Sequence, residues 1–568
     1  MNRWWKTWLI ACLSIVFPVD NLSAQESWEN IIEQLVDNND EISSSNWQNL
    51  MEDLAELKEH PININTATKE QLERFPFLSD RLVENILYYI YKHGPMLTEK
   101  ELMMVQDMDI RTARVLKLFI TFQQPDKEPS KPTLKNIFKY GKHELSTRVD
   151  IPFYTRAGYQ PYTSAYIQEN PNKRYLGKSF YHNVRYQFHY SDKVYVGLTA
   201  EKDAGEQFFV AKNRKGYDYY SPYIYLRNIG KLKTLALGNY RLSYGYGLVM
   251  NTDFSMGKTT ALSTLSNQTK GIKKHSSTDE YNYFQGIAGS VHLTRRLTAD
   301  AFFSFRQMDG IVDNQFITSV KEDGYHRIPR DFEKKNAFTN RLIGSNIHYN
   351  GKYFEAGLTA VHNVFNKVLN PTARAYNKYY PRGRDFFNAG INYKLFWKKF
   401  TLQGETAMDK NGRVATMNML RYSPKNDLQL IVMNRFYDVS YQSIYARSIG
   451  EGSSVQNESG FYIGLETSLL KYFKLSAYGD FFYFPYKKYQ LSKNGTSGFD
   501  GVCQLSYSPS YQLDMLIRYR YKNKQKDFTP ENGEKIVLPY VQQKWRYQLN
   551  YTPMDELMLK TMVDIVHN

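Results

Sequence analysis

The order of apolar and polar positions divides the sequence into a short helical part and a much longer part of alternating strands. Before residue 60, helical spacing is kept by two groups of apolar residues: Trp28, Ile31, Ile32, Leu35 and Val36, then Trp47, Leu50, Met51, Leu54 and Leu57. From about residue 142 onward, apolar and polar residues alternate with a period of two, which places the two sets on opposite faces of a sheet. The pattern therefore predicts an α+β multidomain chain, with a small all-α domain followed by a large antiparallel sheet.

The alternating part consists of successive hairpins. The predicted strand pairs are 182–190 with 194–200, 222–228 with 232–240, 286–293 with 297–305, 343–349 with 353–360, 387–394 with 400–407, 414–421 with 428–435, 460–467 with 473–481, 500–507 with 511–521, and 544–551 with 557–566. One more strand is expected at 144–150. Eighteen or nineteen strands are therefore predicted.

The connections differ sharply in length. Turns within the pairs have a few residues and often follow an aromatic residue, whereas the connections 241–285, 307–342, 361–386 and 436–459 are long. Short turns on one rim and long loops on the other predict a transmembrane β-barrel of 18 or more strands in a bacterial outer membrane. A soluble β-sandwich or propeller is the alternative, but those folds rarely combine such loops with an export signal and 47 tyrosines.

The strand count leaves one question open. A single-chain bacterial barrel normally has an even number of strands, and this sequence ends directly after a strand without a terminal aromatic residue. Either the count is off by one or the barrel continues beyond residue 568, and we expect the latter.

The first 24 residues resemble a signal peptide. Arg3 and Lys6 precede the apolar stretch 7–19, and Leu22-Ser23-Ala24 fits a cleavage site. The competing interpretation is a lipoprotein acylation box at Leu9-Ile10-Ala11-Cys12, which the apolar residues after the cysteine disfavour. If the chain enters a membrane, it does so as strands, because no later apolar run is long enough for a transmembrane helix. The mean hydropathy of −0.57 and aromatic share of 15% fit a wall that is apolar outside and polar inside.

Charge and composition complete the predicted domain boundaries. Signal peptide 1–24 precedes an acidic helical segment 25–59 of net charge −9, and a neutral helical domain follows at 60–122. Residues 123–141 form a Pro-rich linker, and residues 142–568 form the barrel.

Residues 123–568 carry a net charge of +24. Two explanations stand for this surplus: contact with anionic lipopolysaccharide, which we favour, or a pore for a polyanion.

Residues 61–120 carry a recognisable motif frame. Its residues are Ile64-Asn65-Thr66-Ala67, Leu72, Pro76, Tyr89, Gly94-Pro95, Leu102 and Val105, with Asn63 beside them. This frame resembles the tandem helix-hairpin-helix domain of competence-type DNA receptors. Together with the barrel and the sequence GNYRLSYGYGLVMNTDF at 238–254, the chain resembles exported helix-hairpin-helix proteins with a C-terminal outer-membrane barrel. That resemblance implies further strands beyond residue 568.

The hairpins of this domain lack the features that bind DNA. In DNA-binding members, a Gly-hydrophobic-Gly hairpin lets backbone amides approach a phosphate. The matching positions here are Phe77-Leu78-Ser79 and Asp107-Met108-Asp109, where no glycine remains and two aspartates would repel a phosphate. The candidate contact residues for a partner or for DNA are Phe77, Leu78, Ser79, Asp80, Asp107, Met108, Asp109 and Arg111. DNA binding is therefore disfavoured, since it depends on cations along the contact surface.

Catalytic and metal-binding motifs were sought without result. The eleven histidines form no HExxH motif, and no GxSxG element is present. The segment 255–260 (SMGKTT) lacks the upstream glycine of a phosphate-binding loop, since residue 252 is threonine. After removal of the leader, Cys503 is the single cysteine. We therefore predict no catalytic residue, no metal and no cofactor.

The predicted function follows from the two parts. We expect a non-enzymatic outer-membrane channel or envelope assembly platform, whose helix-hairpin-helix domain faces the periplasm and docks a protein partner. The barrel would contact outer-membrane lipid and lipopolysaccharide. The alternative is a DNA-binding or DNA-uptake receptor, favoured by the resemblance and disfavoured by the charge distribution. A third hypothesis makes the helical domain a plug or spacer without a ligand.

Overall fold

The computed structural model describes most of the chain after residue 49. It covers residues 50–568 except 52–53, 56, 59–60, 73–74, 76, 79, 124–132, 211–212, 254–256, 260–261, 263–270, 426, 469, 511, 531–532 and 555–556. The predicted signal peptide and most of the acidic helical segment lie outside the described residues. Among the described residues, no helix is long and apolar enough to cross a membrane.

The N-terminal part folds into a small helical domain. Its elements are β1 (Ile62–Asn63), α1 (Lys69–Leu72), α2 (Asp80–His93), a 3-10 turn (Glu99–Met104), α3 (Ile110–Leu116) and β2 (Ile120–Thr121). The parallel pair β1–β2 joins the two ends of the domain. Leu50, Leu54 and Leu57, predicted from their helical spacing, are buried in the same core as Phe75 and Phe119.

A large antiparallel sheet follows. In the described part of the chain, nineteen strands form its wall: β3 (Lys142–Asp150), β4 (Tyr181–Tyr190), β5 (Val194–Lys202), β6 (Tyr219–Ile229), β7 (Leu232–Ser243), β9 (Phe284–His292), β10 (Leu297–Met308), β13 (Phe338–Asn350), β14 (Phe354–Leu369), β15 (Gly383–Trp397), β16 (Phe400–Asp409), β17 (Val414–Lys425), β18 (Leu428–Tyr437), β19 (Glu458–Thr467), β20 (Phe473–Phe484), β21 (Thr496–Tyr507), β22 (Leu513–Phe528), β23 (Ile536–Met554) and β24 (Leu557–His567). They follow one another in barrel order.

Shorter helices and strands lie in the connections at the long-loop rim. They are β8 (Gly271–Lys274), β11 (Gly310–Asp313), β12 (Phe316–Val320), α5 (Ser164–Glu169), α6 (Pro329–Lys334) and 3-10 turns at 157–159, 171–173 and 375–377. The sequence pattern did not predict the strands β8, β11 and β12. It also gave residues 123–141 as a linker, whereas the structure has a helix there, α4 (Leu134–Tyr140).

The wall shows the alternation that a membrane barrel requires. In β10, Phe303 and Phe305 are exposed on the outer face, while Phe302 and Ser304 are buried on the inner face. At the short-turn rim, an outward aromatic girdle is formed by Tyr190, Tyr349, Phe354, Trp397, Phe400, Tyr422, Phe473, Tyr507 and Tyr551. Neighbouring rings stack across the strands, as with Phe473 and Tyr507, whose centroids are 4.4 Å apart. An apolar outer band with an aromatic girdle is the outer surface of an outer-membrane barrel.

These observations confirm the predicted fold class. All nine predicted hairpins and the additional strand at 144–150 are present, and most strands are longer than predicted. The two end strands, β3 and β24, differ from the others because nearly all of their described side chains are exposed. The loop predicted at 361–386 is reduced to 370–382, since β14 and β15 extend past the expected limits of the wall.

Candidate functional site

The interior of the barrel is filled by two of its own loops. We call the described residues of 244–262 and 441–457 the plug. Leu248, Val249 and Met250 are fully or almost fully buried. They share one core with inward side chains of the wall, among them Phe302, Met417, Met433 and Tyr462. An apolar core thus lies inside a barrel whose lumen was expected to be polar.

Hydrogen bonds join the two plug loops to each other. The Asn251 backbone N–H donates to the Tyr445 carbonyl at 2.9 Å, and the Arg447 N–H donates to the Gly247 carbonyl at 2.9 Å. The Tyr441 hydroxyl donates to the Leu248 carbonyl at 2.8 Å. A side chain at Gly247 would collide with the Arg447 carbonyl, because an added Cβ would lie 2.0 Å from its oxygen. The loops therefore form one packed unit.

A single carboxylate of the wall holds the tip of the plug. Glu405, on β16, is fully buried and accepts hydrogen bonds from the backbone N–H groups of Tyr246 and, at 3.2 Å, Leu248. Gly245 and Gly247 flank this turn with φ of +56° and +83°, a left-handed conformation that glycine adopts at little cost. Successive amides turned toward one anion form a nest, and here a carboxylate of the chain itself occupies it.

A buried network of ion pairs fixes the other side of the plug. The Lys258 ammonium lies 2.7 Å from both Glu451 and Asp480, and Arg435 pairs with Asp480 at 2.6 Å and with Glu458 at 2.8 Å. Further pairs are Lys258–Asp500, Arg520–Asp500 and Lys522–Glu451. Four cations and four anions balance each other, as buried charges require.

A cavity remains between the plug and the long-loop rim. Its volume is about 1510 Å³, and both acidic and basic side chains line it, including Arg148, Glu201, Asp279, Glu280, Arg327 and Lys522. The lining comes mainly from the long loops, so we call this cavity the vestibule. The plug lies between the vestibule and the short-turn rim.

A histidine joins two of the connections at the long-loop rim, 203–218 and 309–337, beside the vestibule. Nδ1 of His326 lies 2.6 Å from Asp218 and Nε2 lies 2.9 Å from Asp309, while Lys335 approaches Asp218 at 2.7 Å. Burial by itself lowers the pKa of His326, but hydrogen bonds to the two aspartates and their charges outweigh it and raise the pKa to about 9. The ring is therefore a cation held between two anions, and we call this arrangement the His326 clamp.

Part of this clamp has the composition of a metal site. In the described part of the chain, Glu206, Asp218 and His326 form the one group whose ligand atoms all lie within 4.8 Å. However, both ring nitrogens face aspartates, and Glu206 accepts the backbone N–H groups of His326 at 2.7 Å and Asp203 at 2.8 Å. The geometry favours ion pairing within the protein. The sequence analysis missed this cluster because its members are far apart in the chain.

The predicted contact residues of the helical domain occupy two turns. Leu78 and Met108 are buried in the domain core, and Phe77 packs beside Phe75 and Phe119. Asp80 is the first residue of α2 and Arg111 the second residue of α3, whereas Ser79 lies outside the described residues. The hydrophobic residues at the two turns therefore serve packing.

The second turn is closed by its own carboxylates. Asp107 takes the left-handed conformation, with φ of +65°, and accepts a hydrogen bond from Asn85 at 3.0 Å. Asp109 caps α3, because its carboxylate accepts the Thr112 N–H at 2.7 Å and the Thr112 hydroxyl at 2.7 Å. A phosphate at this helix start would have to displace the Asp109 carboxylate.

The predicted frame residues hold the domain together. Asn65 accepts the Met96 N–H at 2.7 Å and donates to the carbonyl groups of Met96 and Gln123 at 2.9 and 3.0 Å. Asn63 accepts the Asn65 N–H at 3.1 Å, and Thr66 donates its N–H to the Asn63 carbonyl. Gly94, with φ of +87°, and Pro95 form the turn before Met96. These residues are structural.

Two segments singled out in the sequence belong to the plug. The motif 238–254 covers the end of β7 and the first plug loop, and its Gly-Tyr-Gly sequence supplies the turn that Glu405 binds. Lys258, from the segment 255–260, is a buried cation of the ion-pair network and binds carboxylates. The glycines signalled a special turn, but nothing in the sequence indicated that it folds inward.

The helical part matches a known family model. Residues 57–121 match the family model for the helix-hairpin-helix motif. A comparison with curated protein sequences finds no match. Among solved structures, the chain is similar to Wzi of Escherichia coli, a carbohydrate-binding β-barrel of the outer membrane involved in group 1 capsule assembly, at 9% identity over 90% of this chain and 96% of that one, with a TM-score of 0.33.

Two further solved structures come from other bacteria. OccK5 (OpdH) of Pseudomonas aeruginosa matches at 8% identity over 68% of this chain and 92% of that one, with a TM-score of 0.32. OccAB2 of Acinetobacter baumannii matches at 8% identity over 67% and 92%, with a TM-score of 0.34. At such identities the similarity concerns the fold alone. The alternation and aromatic girdle of the wall define the class of an outer-membrane β-barrel. This chain is an outer-membrane β-barrel protein with an N-terminal helix-hairpin-helix domain.

Proposed function

We propose that this protein is a non-enzymatic envelope platform, a barrel that is closed by its own plug and carries a periplasmic docking domain. The observation that carries the proposal is the packed plug. Leu248 and Met250 are inaccessible to solvent, and the Lys258 network ties the plug to strands β18 to β22. A channel needs a continuous polar path, whereas this lumen holds a hydrophobic core.

The proposed side of the helical domain follows from the first strand of the wall. Lys142 at the start of β3 pairs with His189, next to the short turn 191–193. The chain therefore enters the wall at the short-turn rim. In outer-membrane barrels the short turns face the periplasm, which supports a periplasmic position for the helical domain.

A docking role for this domain is supported by its surface. Tyr88 and Tyr91 on α2 are 59% and 88% exposed, and Leu97 and Met104 are also exposed. Tyrosine and methionine are typical of protein interfaces. The surface thus suits a periplasmic protein better than a polyanion, because residues 60–122 have no net positive charge.

DNA handling remains the second candidate, because residues 123–568 carry +24. The capped second hairpin opposes a role of the helical domain in it. Titration of duplex DNA into the chain from residue 25 and into the chain from residue 123, across a salt series, separates the two functions. We expect weak and equal affinities, whereas tight, salt-sensitive binding by both chains would favour DNA handling by the barrel itself. A loss of affinity on removing residues 25–122 would favour the DNA receptor.

Electrical recording in planar lipid bilayers tests the closed barrel. We expect no sustained conductance from the folded chain starting at residue 25. Steady single-channel currents from the unmodified chain would overturn the proposal.

The docking role is tested by a photo-crosslinking residue at Tyr91, with the same residue at exposed Thr66 as the control. A discrete adduct with a periplasmic protein is expected at position 91 alone.

A further inference from the structure

The short helix α4 packs against the outside of the barrel wall. Its Ile137 contacts the cluster of Phe188, Tyr190 and Val194. Gly141, which ends the helix, lies against the Phe188 ring so closely that an added Cβ would be 2.2 Å from Cε2. His143, near the start of β3, packs on the same ring with centroids 4.9 Å apart. The helix is therefore seated on the wall.

The register of β4 and β5 shows which face this is. Phe188 lies opposite Val196, and Tyr190 lies opposite Val194. On β5, the alternate residues Thr199 and Glu201 turn into the lumen, where Thr199 donates to the Ser276 carbonyl and Glu201 lines the vestibule. Because side chains alternate along a strand, Phe188, Tyr190, Val194 and Val196 point to the lipid side. The helix α4 lies on that side.

The height of α4 along the wall is that of the aromatic girdle. Tyr190 belongs to the girdle and directly precedes the short turn 191–193. Aromatic girdles lie at the level of the lipid headgroups. A helix that contacts the girdle from outside is therefore placed at the boundary between hydrocarbon and headgroups.

The surface that α4 presents away from the wall is apolar and basic. Leu134, Phe138 and Tyr140 are 75%, 77% and 60% exposed. Lys135 and Lys139 are exposed as well, and the helix sequence LKNIFKY contains no acidic residue. Exposed large apolar residues together with lysines are typical of helices that lie in a membrane interface.

We propose that α4 is a membrane-interface anchor that binds phospholipids of the leaflet at the short-turn rim. Leu134, Phe138 and Tyr140 enter the region of the upper acyl chains, and Lys135 and Lys139 meet the phosphates. The lipid is the occupant because this surface continues the lipid-facing wall, so a protein would have to displace the bilayer to reach it. The proposal requires the barrel to be in a membrane, but neither a closed lumen nor a docking partner.

A consequence concerns the helical domain. The chain enters α4 from residues 124–132, so an anchored α4 holds the attachment point of that domain at the membrane surface. Docking of a partner would then take place next to the leaflet.

Fluorescence quenching by lipids tests the anchor in the chain from residue 25, folded into vesicles. In a Cys503→Ser background, Phe138→Cys carries an environment-sensitive fluorophore, and Tyr91→Cys on α2 carries the same fluorophore as the matched control. Nitroxide groups are placed on the lipids near the carbonyl end of the acyl chains. We expect at least about twofold stronger quenching at position 138 than at position 91, with blue-shifted emission. Equal quenching at the two positions would overturn the proposal.

A second variant tests the headgroup contact. Lys135→Gln/Lys139→Gln, labelled at position 138, should lose quenching in vesicles that contain phosphatidylglycerol and should change little in pure phosphatidylcholine. Unchanged quenching in both lipids would contradict a role of the lysines at the phosphates. Heat-modifiable mobility on gels verifies that each labelled barrel is folded, so a folding defect is distinguished from a helix that does not meet lipid.

Discussion

The helical domain and the barrel each close a turn of free backbone amides with a carboxylate, but over very different sequence distances. In α3, Asp109 accepts the N–H of Thr112, three residues later. In the plug, Glu405 accepts the N–H groups of Tyr246 and Leu248, which are 159 and 157 residues away. Both carboxylates satisfy donors that the turn leaves without a backbone partner. The local cap forms with its helix, whereas the distant one needs the wall to be assembled.

The two interiors differ in the same way. The helical domain encloses apolar side chains such as Leu72, Phe75 and Phe119, all fully buried. The barrel encloses Arg435 with 1% exposure beside fully buried Glu458 and Asp480. Beside the apolar core around the plug, the barrel interior therefore holds charged groups, and these must be neutralised by distant partners. Removing one distant partner should therefore cost more than removing a local one.

The largest effect is expected from Arg435→Ala. It leaves Glu458 and Asp480 buried without their cation, which destabilises the fold by about 3–5 kcal/mol. The midpoint of urea unfolding in detergent, read from the folded gel band, measures the loss. Lys474→Ala is the control, because Lys474 pairs with Glu466 on the same inner face near the short-turn rim, where both side chains are partly exposed. Similar midpoints for the two variants would remove the distinction drawn between a fully buried and a partly exposed ion pair.

Glu405→Ala should follow, with a loss of about 3 kcal/mol from two amides left without their acceptor in a buried turn. Because this carboxylate holds the plug tip, we expect the variant to show transient openings in planar bilayers that the parent lacks. Glu405→Gln keeps one acceptor oxygen and should be intermediate. Glu466→Ala, which removes a partly exposed carboxylate near the short-turn rim, serves as the control. A silent Glu405→Ala variant of unchanged stability would show that the plug is held by packing alone.

The His326 clamp is also an interaction between residues distant in the sequence, and its strength depends on pH. Its pKa is raised to about 9, above the ordinary value of 6.5, so its contribution is complete below about pH 6.5 and is lost as the pH rises through about 9. The contribution is on the order of 3 kcal/mol. Burial and the charges of Asp218 and Asp203 raise the pKa of the neighbouring Glu206 to about 7, so its own effect on stability falls between about pH 4.5 and pH 7 and meets this window only at the lower edge.

Hydrogen exchange of residues 321–337 measures the clamp. We expect exchange to become faster between about pH 6.5 and pH 9, beyond the intrinsic increase, and no such transition in His326→Ala. His362→Ala is the matched control, because His362 pairs with Asp385 at 2.9 Å on an exposed surface. Opening of the loop on acidification, in place of alkalinisation, would contradict the sign of the shift.

These contrasts explain how much of the molecule could be predicted from its sequence. The strand 297–305 was predicted because adjacent residues alternate between apolar and polar, and this pattern can be recognised in the sequence. The same holds for the nineteen described strands of the wall. That the glycine-free hairpins are poor phosphate sites stays a prediction, and the Asp109 cap found there is itself a contact between neighbours in the sequence. Structure that depends on neighbouring residues in the sequence could thus be predicted.

The plug and the clamp could not be predicted from the sequence, because their contacts join residues that are far apart in the chain. Asp218 and His326 are 108 residues apart, and no local pattern relates them. The turn 245–248 has the glycines of a tight turn, but its partner Glu405 lies six wall strands later. The helix α4 was not predicted, because the prolines at 125, 129 and 132 made the whole segment 123–141 resemble a linker. Its contact with the wall, through Ile137, depends on distant residues. Long-range packing decides each of these features.

The smallest effect is expected from Asp109→Ala, and it tests the local side of the comparison. Loss of a helix N-cap costs about 1 kcal/mol, so amide exchange in α3 should become roughly fivefold faster while the barrel is unaffected. Hydrogen exchange of peptides from 107–118 and from β16 measures both in one experiment. Asp109→Asn keeps a capping oxygen and should exchange like the parent. Faster exchange in β16 would mean that the two regions are coupled, and the separation between local and distant carboxylate caps would then fail as a description of this protein.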